Sequence, residues 1–250
     1  MNKKQLLLAN IREQLAIENN CMPDDFLRPE NIITAPVCSG KRRHFAEVPF
    51  FLKMVTMGGN AVISADVCTH DWLRGFVADK EGHWLFEHPN LREIDTYIHG
   101  FGKRMFQTHH MFLPFEDALP TRSSYEICQF ERDDLRPFYE NAPFPNALGE
   151  DFESKRPDML VFAAMDGGQI IGMAGASADT PLWWQIGIDV STDYRGQGLA
   201  AHLVSRLRQE VERRGCIPYY GTSLSNLASW GTALHCGFRP AWVETETVEW

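Results

Sequence analysis

"DYRGQGLAAHLVSRLRQEVERRG", residues 193–215, places two glycines one residue apart directly ahead of a long amphipathic run. The apolar residues of this run follow a helical period, with Leu199, Leu203 and Leu207 spaced by four. Gly215 then follows the run as a helix-ending glycine would. Because glycine at the start of a helix lets the backbone approach a phosphate group closely, the stretch predicts a phosphate-binding corner.

One motif that could account for the glycines is the dinucleotide fingerprint. Residues 196–201 satisfy its pattern, G-x-G-x-x-A. That fingerprint belongs to the end of the first strand of its domain, with several strand–helix units after it, whereas only about 50 residues follow here. The acidic residue expected further on, at the end of the next strand, is also missing, because Glu210 and Glu212 lie inside the helical run. A dinucleotide site is therefore disfavoured.

The composition and charge narrow the class of protein. The 250 residues are 44% hydrophobic and 23% charged, as in soluble globular proteins, and no apolar run is long enough to span a membrane. The six cysteines show no C-x-x-C spacing, which favours reduced thiols in the cytoplasm over a disulfide framework or a zinc site. The net charge is −1 for residues 1–122 and −8 for residues 123–250. We therefore expect a cytoplasmic protein that binds neither nucleic acid nor a membrane.

A domain boundary is predicted near residues 114–124, where two prolines and a polar run separate apolar segments. The prediction is a smaller α/β domain over residues 1–120 and a second domain over residues 124–250. In the first domain the patterns predict an N-terminal helix, strands over 60–66 and 105–114, and helices over 69–80 and 90–102.

The second half follows the predicted order β-α-β-β-β-α-β-α-β. A hairpin is expected around the turn at residues 166–169, and a helix with a proline-rich loop over residues 131–146. In the strand 182–190, the apolar side chains of Ile186, Ile188 and Val190 share one face. After the long helix, the patterns predict a strand over 216–224, a short helix within 226–238 and a last strand over 240–250.

A second motif accounts for more of these features. Residues 195–200, "RGQGLA", satisfy [Q/R]-x-x-G-x-[G/A] and lie between a strand and a helix. Further along, Asn226 precedes a short helix that is followed by Gly237 and Phe238. The motif, its context and this tail resemble the GNAT superfamily of acyl-CoA-dependent N-acyltransferases over residues 125–250. The resemblance implies an α/β fold, with a central mixed β-sheet flanked by helices, preceded here by the smaller domain.

The resemblance also implies where acetyl-CoA, or another form of coenzyme A, would bind as co-substrate. The first amides of the long helix and its dipole would hold the diphosphate, and Arg195 would contact the phosphates or pack the loop. The edge of strand 182–190 would bond the pantetheine arm, and the next strand, 216–223, would part from it to admit the arm. Asn226 would help to hold the cofactor, cap its helix, or do both. The predicted cofactor-binding residues are Ile188, Val190, Arg195, Gly196, Gln197, Gly198, Leu199, Ala200, Ala201 and Asn226.

The groups that would move protons are less evident. Acyl transfer to an amine needs a base or a water chain for the amine's proton, and a proton donor for the thiolate of coenzyme A. In the superfamily a tyrosine seven residues after the asparagine often donates that proton, but here the position is Ala233. The remaining donors are His235 and one of the neighbouring tyrosines Tyr219 and Tyr220, of which we take Tyr220 as the candidate. Asp189 is the candidate base. His235 has a structural alternative, because a residue in a short helix commonly serves packing.

The first half contains a short echo of the second. Residues 90–102 and 226–238 share Asn, Leu, Thr and His at the same offsets, and Tyr97 falls opposite Ala233. One interpretation is chance; the other is two GNAT-like halves in tandem, the first without a phosphate loop and shaping the substrate cleft or a subunit contact. The histidines of the first half form no convergent ligand set, so no metal site is predicted.

These features together predict an N-acetyltransferase. It would move an acetyl or short acyl group from acyl-CoA to an amine of a small molecule or peptide, by direct attack in a ternary complex. The alternative is a non-catalytic acyl-CoA-binding or regulatory module, which Ala233 and the lack of an evident base motivate. The expected partners are the amine acceptor and, as one option, a second copy of the chain in a homodimer.

Overall fold

The computed structural model describes residues 1–43, 48–140 and 144–250. The chain divides into two compact units. Unit 1 comprises Met1–Met111, Ser223–Ser225 and Pro240–Trp250, and unit 2 comprises Phe112–Thr222 and Asn226–Arg239. None of the helices in the described ranges is long and apolar enough to cross a membrane.

Unit 1 is built around a mixed sheet. Its helices and strands are α1 (Lys3–Asn19), β1 (Ile32–Thr34), β2 (Leu52–Thr56), β3 (Ala61–Ala65), α2 (His70–Val77), α3 (His88–His99), β4 (Lys103–Leu113) and β10 (Arg239–Glu249). The strand order is β1-β3-β2-β10-β4, with β1 parallel to β3 and with β2 antiparallel to both β3 and β10. The predicted helices and strands of the first half are all present, whereas β1 and β2 were not anticipated.

The two faces of the unit 1 sheet differ in chemistry. On one face, Leu52 and Ile63 pack with apolar residues of α2 and α3 in a core that excludes water. On the other face, α1 covers the sheet and places Glu18 against Lys53 of β2. Strand alternation explains the division, because successive side chains of β2 point to opposite faces.

The end of the chain groups with unit 1. The predicted second domain runs to residue 250, whereas β10 pairs with β2 from Val243↔Thr56 to Glu246↔Lys53. These ladder hydrogen bonds hold the strand in the first sheet. The start of the second domain also differs from the prediction, because it was predicted at residue 124 and unit 2 begins at Phe112.

Unit 2 confirms the predicted α/β fold with a mixed sheet. Its helices and strands are β5 (Glu126–Glu131), β6 (Asp158–Asp166), β7 (Gln169–Ala178), β8 (Trp183–Val190), α4 (Leu199–Arg213), β9 (Ile217–Ser223) and α5 (Leu227–His235). The strand order is β9-β8-β7-β6-β5; only the β8–β9 pair is parallel, as a strand–helix–strand crossover through α4 requires. The predicted hairpin turns at Gly167 and Gly168, which both have positive φ.

A helix followed by a proline-rich loop was predicted over residues 131–146, and the predicted α-helix is wrong. Arg132–Asp134 and Arg136–Tyr139 instead form two short 3₁₀ helices. Pro137 provides the physical reason, because it lacks an N–H group and disfavours α conformation in the residue before it. Residues 141–143 of the predicted proline-rich loop lie outside the described residues.

The apolar face of α4 packs on the unit 2 sheet. Leu203, Leu207 and Val211 are fully buried against β6, β7 and β8. Burial of each such side chain stabilises the fold by about 1.5–3 kcal/mol. On the opposite face of the sheet, Phe144 and Leu148 form a second apolar cluster with Met173. The loop that carries these two residues therefore covers one face while α4 covers the other.

The two similar segments, residues 90–102 and 226–238, each contain a helix that leads into a strand. Tyr97 of α3 stacks on Trp72 at 4.0 Å between ring centroids, with the planes 5° apart. Ala233 of α5 is fully buried. Both positions therefore serve packing in their own units, and a tandem origin of the halves stays a prediction.

Candidate functional site

The predicted phosphate corner is the N-terminus of α4. Gly198 is the N-cap residue, and no side chain in the described part of the chain caps the helix there. The first helical hydrogen bond is donated by the amide of His202 to the carbonyl oxygen of Gly198, at 3.0 Å. The amides of Leu199, Ala200 and Ala201 therefore precede the hydrogen-bonded ladder, where helices leave N–H groups available.

The glycines before α4 leave space above these amides. Gly196 and Gly198 have φ values of 76° and 77°, a left-handed conformation that side chains disfavour. A Cβ atom built on either glycine would meet no atom of residues 1–43, 48–140 or 144–250 within 4 Å. Both residues are exposed to solvent. An anion can therefore approach the helix terminus, where the helix dipole favours negative charge.

Two side chains of the loop are held by neighbouring residues. The Nε of Arg195 donates to the carbonyl oxygen of Val190 at 2.9 Å, which ties the loop to the end of β8. Arg195 was predicted either to contact the phosphates or to pack the loop, and this hydrogen bond corresponds to packing of the loop. The Oε1 of Gln197 accepts from the hydroxyl of Tyr125 at 3.1 Å, and the ring of Tyr125 lies edge-on to that of Tyr194.

The strands β8 and β9 part next to this corner. Their parallel ladder runs from Trp183↔Ile217 to Ile186↔Tyr220, and in the described part of the chain no further pair follows. On its other side β8 stays paired with β7 as far as Gly172↔Val190. The main chain of residues 187–190 is therefore held from one side only, as the predicted parting of the strands requires.

The loop over residues 144–149 lies flat on β7 and β8 because two glycines make room for it. A Cβ on Gly175 would overlap the carbonyl oxygen of Ala147. A Cβ on Gly187 would overlap that of Asn146 in the same way. Glycine is therefore required at both positions by close backbone approach.

Asp189, the predicted base, holds this loop. Its Oδ2 accepts from the backbone amide of Asn146 at 2.7 Å, and its Oδ1 accepts from the side-chain amide at 2.6 Å. Both carboxylate oxygens are thus engaged by one residue. The two hydrogen bonds fasten the loop to β8. They engage both of the oxygens that could accept a proton from an amine, so Asp189 is less available for that role.

We expect Asp189→Asn to destabilise the protein by about 1–2 kcal/mol, because an amide NH₂ would face the donors of Asn146 in place of an acceptor. The measurement is urea denaturation, with Asp193→Asn as the control. Asp193 is exposed in the turn before α4. Equal stability of the two variants would show that the Asn146 contacts do not hold the loop.

Tyr220 lies where β8 and β9 part. Its hydroxyl is 2.7 Å from the Oγ of Ser229, and the residue is only 2% exposed. Burial raises the pKa of Tyr220 to about 12, and the nearby charge of Asp189 acts in the same direction. The phenol therefore stays protonated near neutral pH. The structure thus brings Tyr220 and Asp189 to the same end of the β8–β9 pair.

His235 lies apart from this pair. It is the last residue of α5, and its carbonyl oxygen accepts from the amide of Leu119 at 2.9 Å. His235 lies six positions after Ser229 in the helix, a rise of about 9 Å. Because Ala233 on the same helix is buried in the apolar core, this end of α5 serves packing.

Asn226 is the N-cap residue of α5. Its Oδ1 accepts from the amide of Ser229 at 3.1 Å, which is the capping contact that asparagine favours. The cap also fixes the turn that carries the Ser229 hydroxyl beside Tyr220. The sequence analysis missed Ser229, Asn146 and Tyr125. The spacing Asn-x-x-Ser at the start of a short helix was the available signal for Ser229, whereas no local pattern marks the other two.

Across the described ranges, no group of three or more His, Cys, Asp or Glu side chains is arranged to hold a metal ion.

Several solved structures of acetyltransferases are similar to part of this chain. A GNAT-family acetyltransferase from Novosphingobium aromaticivorans has 20% identity and a TM-score of 0.44, over 60% of this chain and 68% of that one. A GCN5-related N-acetyltransferase-like protein from Streptococcus suis has 19% identity and a TM-score of 0.47, over 64% and 68%. The aminoglycoside N-acetyltransferase AAC(6')-Iy, in complex with CoA, has 22% identity and a TM-score of 0.36, over 49% and 93%. No curated protein matches the chain.

The sequence itself matches a family. Residues 124–238 fit the model of the acetyltransferase (GNAT) family, a span that includes the α4 corner, the parting strands and α5. Residues 124–238 of this chain therefore form a domain of the acetyltransferase (GNAT) family.

Proposed function

We propose that the protein is an N-acetyltransferase that transfers an acetyl or short acyl group from acyl-CoA to an amine of a small molecule or peptide. The observation that carries the proposal is the uncapped, glycine-lined N-terminus of α4 within a domain of this family. Three consecutive helix amides, from Leu199 to Ala201, precede the helical ladder there, and the space above the glycines is open. A diphosphate can accept several of these hydrogen bonds at once.

From the N-terminus of α4, the proposed path of the pantetheine arm runs along the open edge of β8. Beside it, the main chain of β8 at residues 187–190 is paired with β7 only, so its outer edge can bond an extended arm. Leu199 and Val190 are buried, which fixes the positions of helix and strand relative to each other. The diphosphate and the arm would thus be held by backbone groups of rigid elements.

The proposed reaction is direct attack in a ternary complex. The nitrogen of a neutral amine bonds to the thioester carbonyl carbon, the carbon–sulfur bond breaks, and one proton passes from the nitrogen to water. The leaving thiolate takes one proton, and we assign its donation to Tyr220. The hydroxyl of Ser229, 2.7 Å away, can stabilise the phenolate until a proton from solvent replaces the one given up. The engagement of Asp189 by Asn146 is the reason to assign the amine's proton to water.

Tyr220→Phe is expected to lower kcat by about 10- to 100-fold with KM for acetyl-CoA unchanged, the effect of removing a positioned acid. A donor analogue with a more acidic thiol needs less protonation of its leaving group, so it should restore much of the lost rate. Ser229→Ala should show a smaller loss of the same kind. A loss that persists with the acidic donor would contradict the assignment of Tyr220.

The test of the function is release of free CoA thiol when acetyl-CoA is mixed with a panel of amines. Polyamines, amino acids, aminoglycosides and peptides cover the main classes of acceptor. Release that depends on one class supports the enzyme and names its acceptor. Tight binding of acetyl-CoA without release for any amine would instead support a non-catalytic acyl-CoA-binding module, which the burial of Ala233 and the engagement of Asp189 favour as the second candidate.

A further inference from the structure

One arginine of α4 differs from those near the end of the helix. There, Arg213 and Arg214 share the carboxylate of Glu210, at 2.6 Å and 3.0 Å. Arg206, which lies two turns before Arg213, is exposed and has no carboxylate partner in residues 1–43, 48–140 and 144–250. The net charge of residues 123–250 is −8, so acidic side chains are plentiful in this part of the chain. The positive charge of Arg206 is therefore available to an anion from outside the protein.

Neighbouring groups restrict the side chain of Arg206. The carbon of its guanidinium lies 5.4 Å from the centroid of the Phe162 ring, as in a cation–π contact. His202 lies one turn earlier on the same side of α4, and its Nδ1 is 3.0 Å from the hydroxyl of Thr121. Burial and the positive charge of Arg206 lower the pKa of His202. The imidazole is therefore uncharged near neutral pH, and Arg206 supplies the charge at this place.

Arg206 and the phosphate corner lie at the same end of the unit 2 sheet. Phe162 pairs with Ala174, and Ala174 pairs with Ile188, so these three residues lie at one level across the strands. Ile188 belongs to the part of β8 whose outer edge is open. The side chain of Arg206 also leans toward the N-terminus of α4, as helical side chains do. Its guanidinium therefore flanks the corner on the side of β6, two strand spacings or about 10 Å from β8.

CoA has two separate anionic groups to place at such a site. The amides at the start of α4 can hold its diphosphate, whereas a ribose ring separates the diphosphate from a 3'-phosphate. A phosphate monoester carries about 1.5 to 2 negative charges near neutral pH and has three strong acceptor oxygens. A guanidinium, with its fork of N–H donors, is the side chain best suited to such a group.

We propose that Arg206 binds the 3'-phosphate of CoA and that the protein therefore selects CoA over dephospho-CoA. The inference rests on the proposed acyl-CoA site and adds to it a residue that distinguishes two forms of the coenzyme. Because Arg206 is exposed, the ribose can lie outside α4. The contact with Phe162 limits the movement of the guanidinium, which reduces the conformational entropy that binding would cost.

The test is isothermal titration of the full-length protein with CoA and with dephospho-CoA, which keeps the diphosphate and the pantetheine arm. We expect the wild type to bind CoA about 10- to 100-fold more tightly, as the loss of a charge-assisted contact implies. Arg206→Gln should remove most of this preference by lowering the affinity for CoA, with the affinity for dephospho-CoA unchanged. Arg206→Lys should keep part of the preference, because an ammonium retains the charge but not the planar fork.

Arg213→Gln is the matched control. Arg213 is 71% exposed on the same side of α4 and carries the same charge, but it is paired with Glu210. Its replacement removes one positive charge from the same helix at a greater distance from the corner. The preference for CoA should therefore stay as in the wild type, which separates a contact of Arg206 from a general effect of charge.

Equal affinities of the wild type for the two ligands would overturn the inference and leave the proposed acyl-CoA site standing, because the diphosphate would still be bound. The inference is also contradicted if Arg206→Gln keeps the full preference, lowers both affinities equally, or loses no more preference than Arg213→Gln. Failure of both ligands to bind would overturn the proposed function, and this inference with it. Thermal melting shows whether Arg206→Gln is folded; if it is not, Arg206→Met, which keeps an apolar stem over Phe162, takes its place.

Discussion

Replacing Gly198 with alanine is expected to weaken the binding of CoA by about 10- to 100-fold, a loss of about 1.4–2.8 kcal/mol. The added methyl group would stand in the open space above the α4 amides, where we place the diphosphate. It would hold the phosphate oxygens away from the N–H groups and lengthen each hydrogen bond. Isothermal titration of CoA into the variant measures the effect.

Gly215 provides the matched control for this substitution. It follows the other end of α4, with a φ of 78° against 77° for Gly198, and a Cβ there also meets nothing within 4 Å. Alanine at either position has the same backbone strain, about 1 kcal/mol. Gly215→Ala should therefore lose the same stability and keep the affinity for CoA. Equal affinities in the two variants would place the diphosphate elsewhere.

Arg43→Met is expected to destabilise the protein by about 3–5 kcal/mol, the largest effect on stability that we predict. Arg43 is 1% exposed, and its guanidinium contacts Glu18 and Glu244. Its loss would leave these buried carboxylates with much less compensating charge, although Lys53 would remain. Urea denaturation at neutral pH measures the change.

The control is Arg74→Met. Arg74 pairs with Asp71 at 2.7 Å, but the two side chains are 62% and 101% exposed, so the pair is screened by water. Its removal should cost less than about 0.5 kcal/mol. If Arg43→Met also lowered the free energy of unfolding by less than about 0.5 kcal/mol, the buried cluster would not stabilise the fold.

The deficit of Arg43→Met should also depend on pH. Burial alone would raise the pKa of Glu18, but Arg43 and Lys53 outweigh it and lower the pKa from 4.5 to about 2. A depressed acid pKa stabilises the fold above the unfolded value, near 4.5, and this contribution disappears as the pH falls toward 2. The difference between the wild type and Arg43→Met should therefore be full above pH 4.5 and should shrink below it.

The local patterns of the sequence were sufficient to predict the helices and strands that form the candidate site. The period of four through Leu199 and Leu207 located α4, and the paired glycines of the β6–β7 turn located the hairpin. The strand β2 was not predicted because Lys53 interrupts its apolar run. In the structure the buried carboxylates of Glu18 and Glu244 compensate the charge of this lysine.

The contacts that decide the roles of side chains were not accessible from the sequence. Asp189 and Asn146 are 43 residues apart, and Arg43 and Glu244 are 201 residues apart. Such pairs form only when the sheets fold, so no short pattern indicates them. For this reason the strand, the glycines and the helix around residue 198 were predicted from the sequence, whereas the engagement of Asp189 and the buried charge cluster were not.

The most direct test of the account is an NMR titration of ¹⁵N-labelled protein with CoA, which follows each backbone amide separately. If the diphosphate binds at the start of α4, the largest shifts will belong to the amides of Gly196, Gly198 and the three residues Leu199 to Ala201. Saturable binding of CoA that leaves these five signals in place, and moves others instead, would contradict the account.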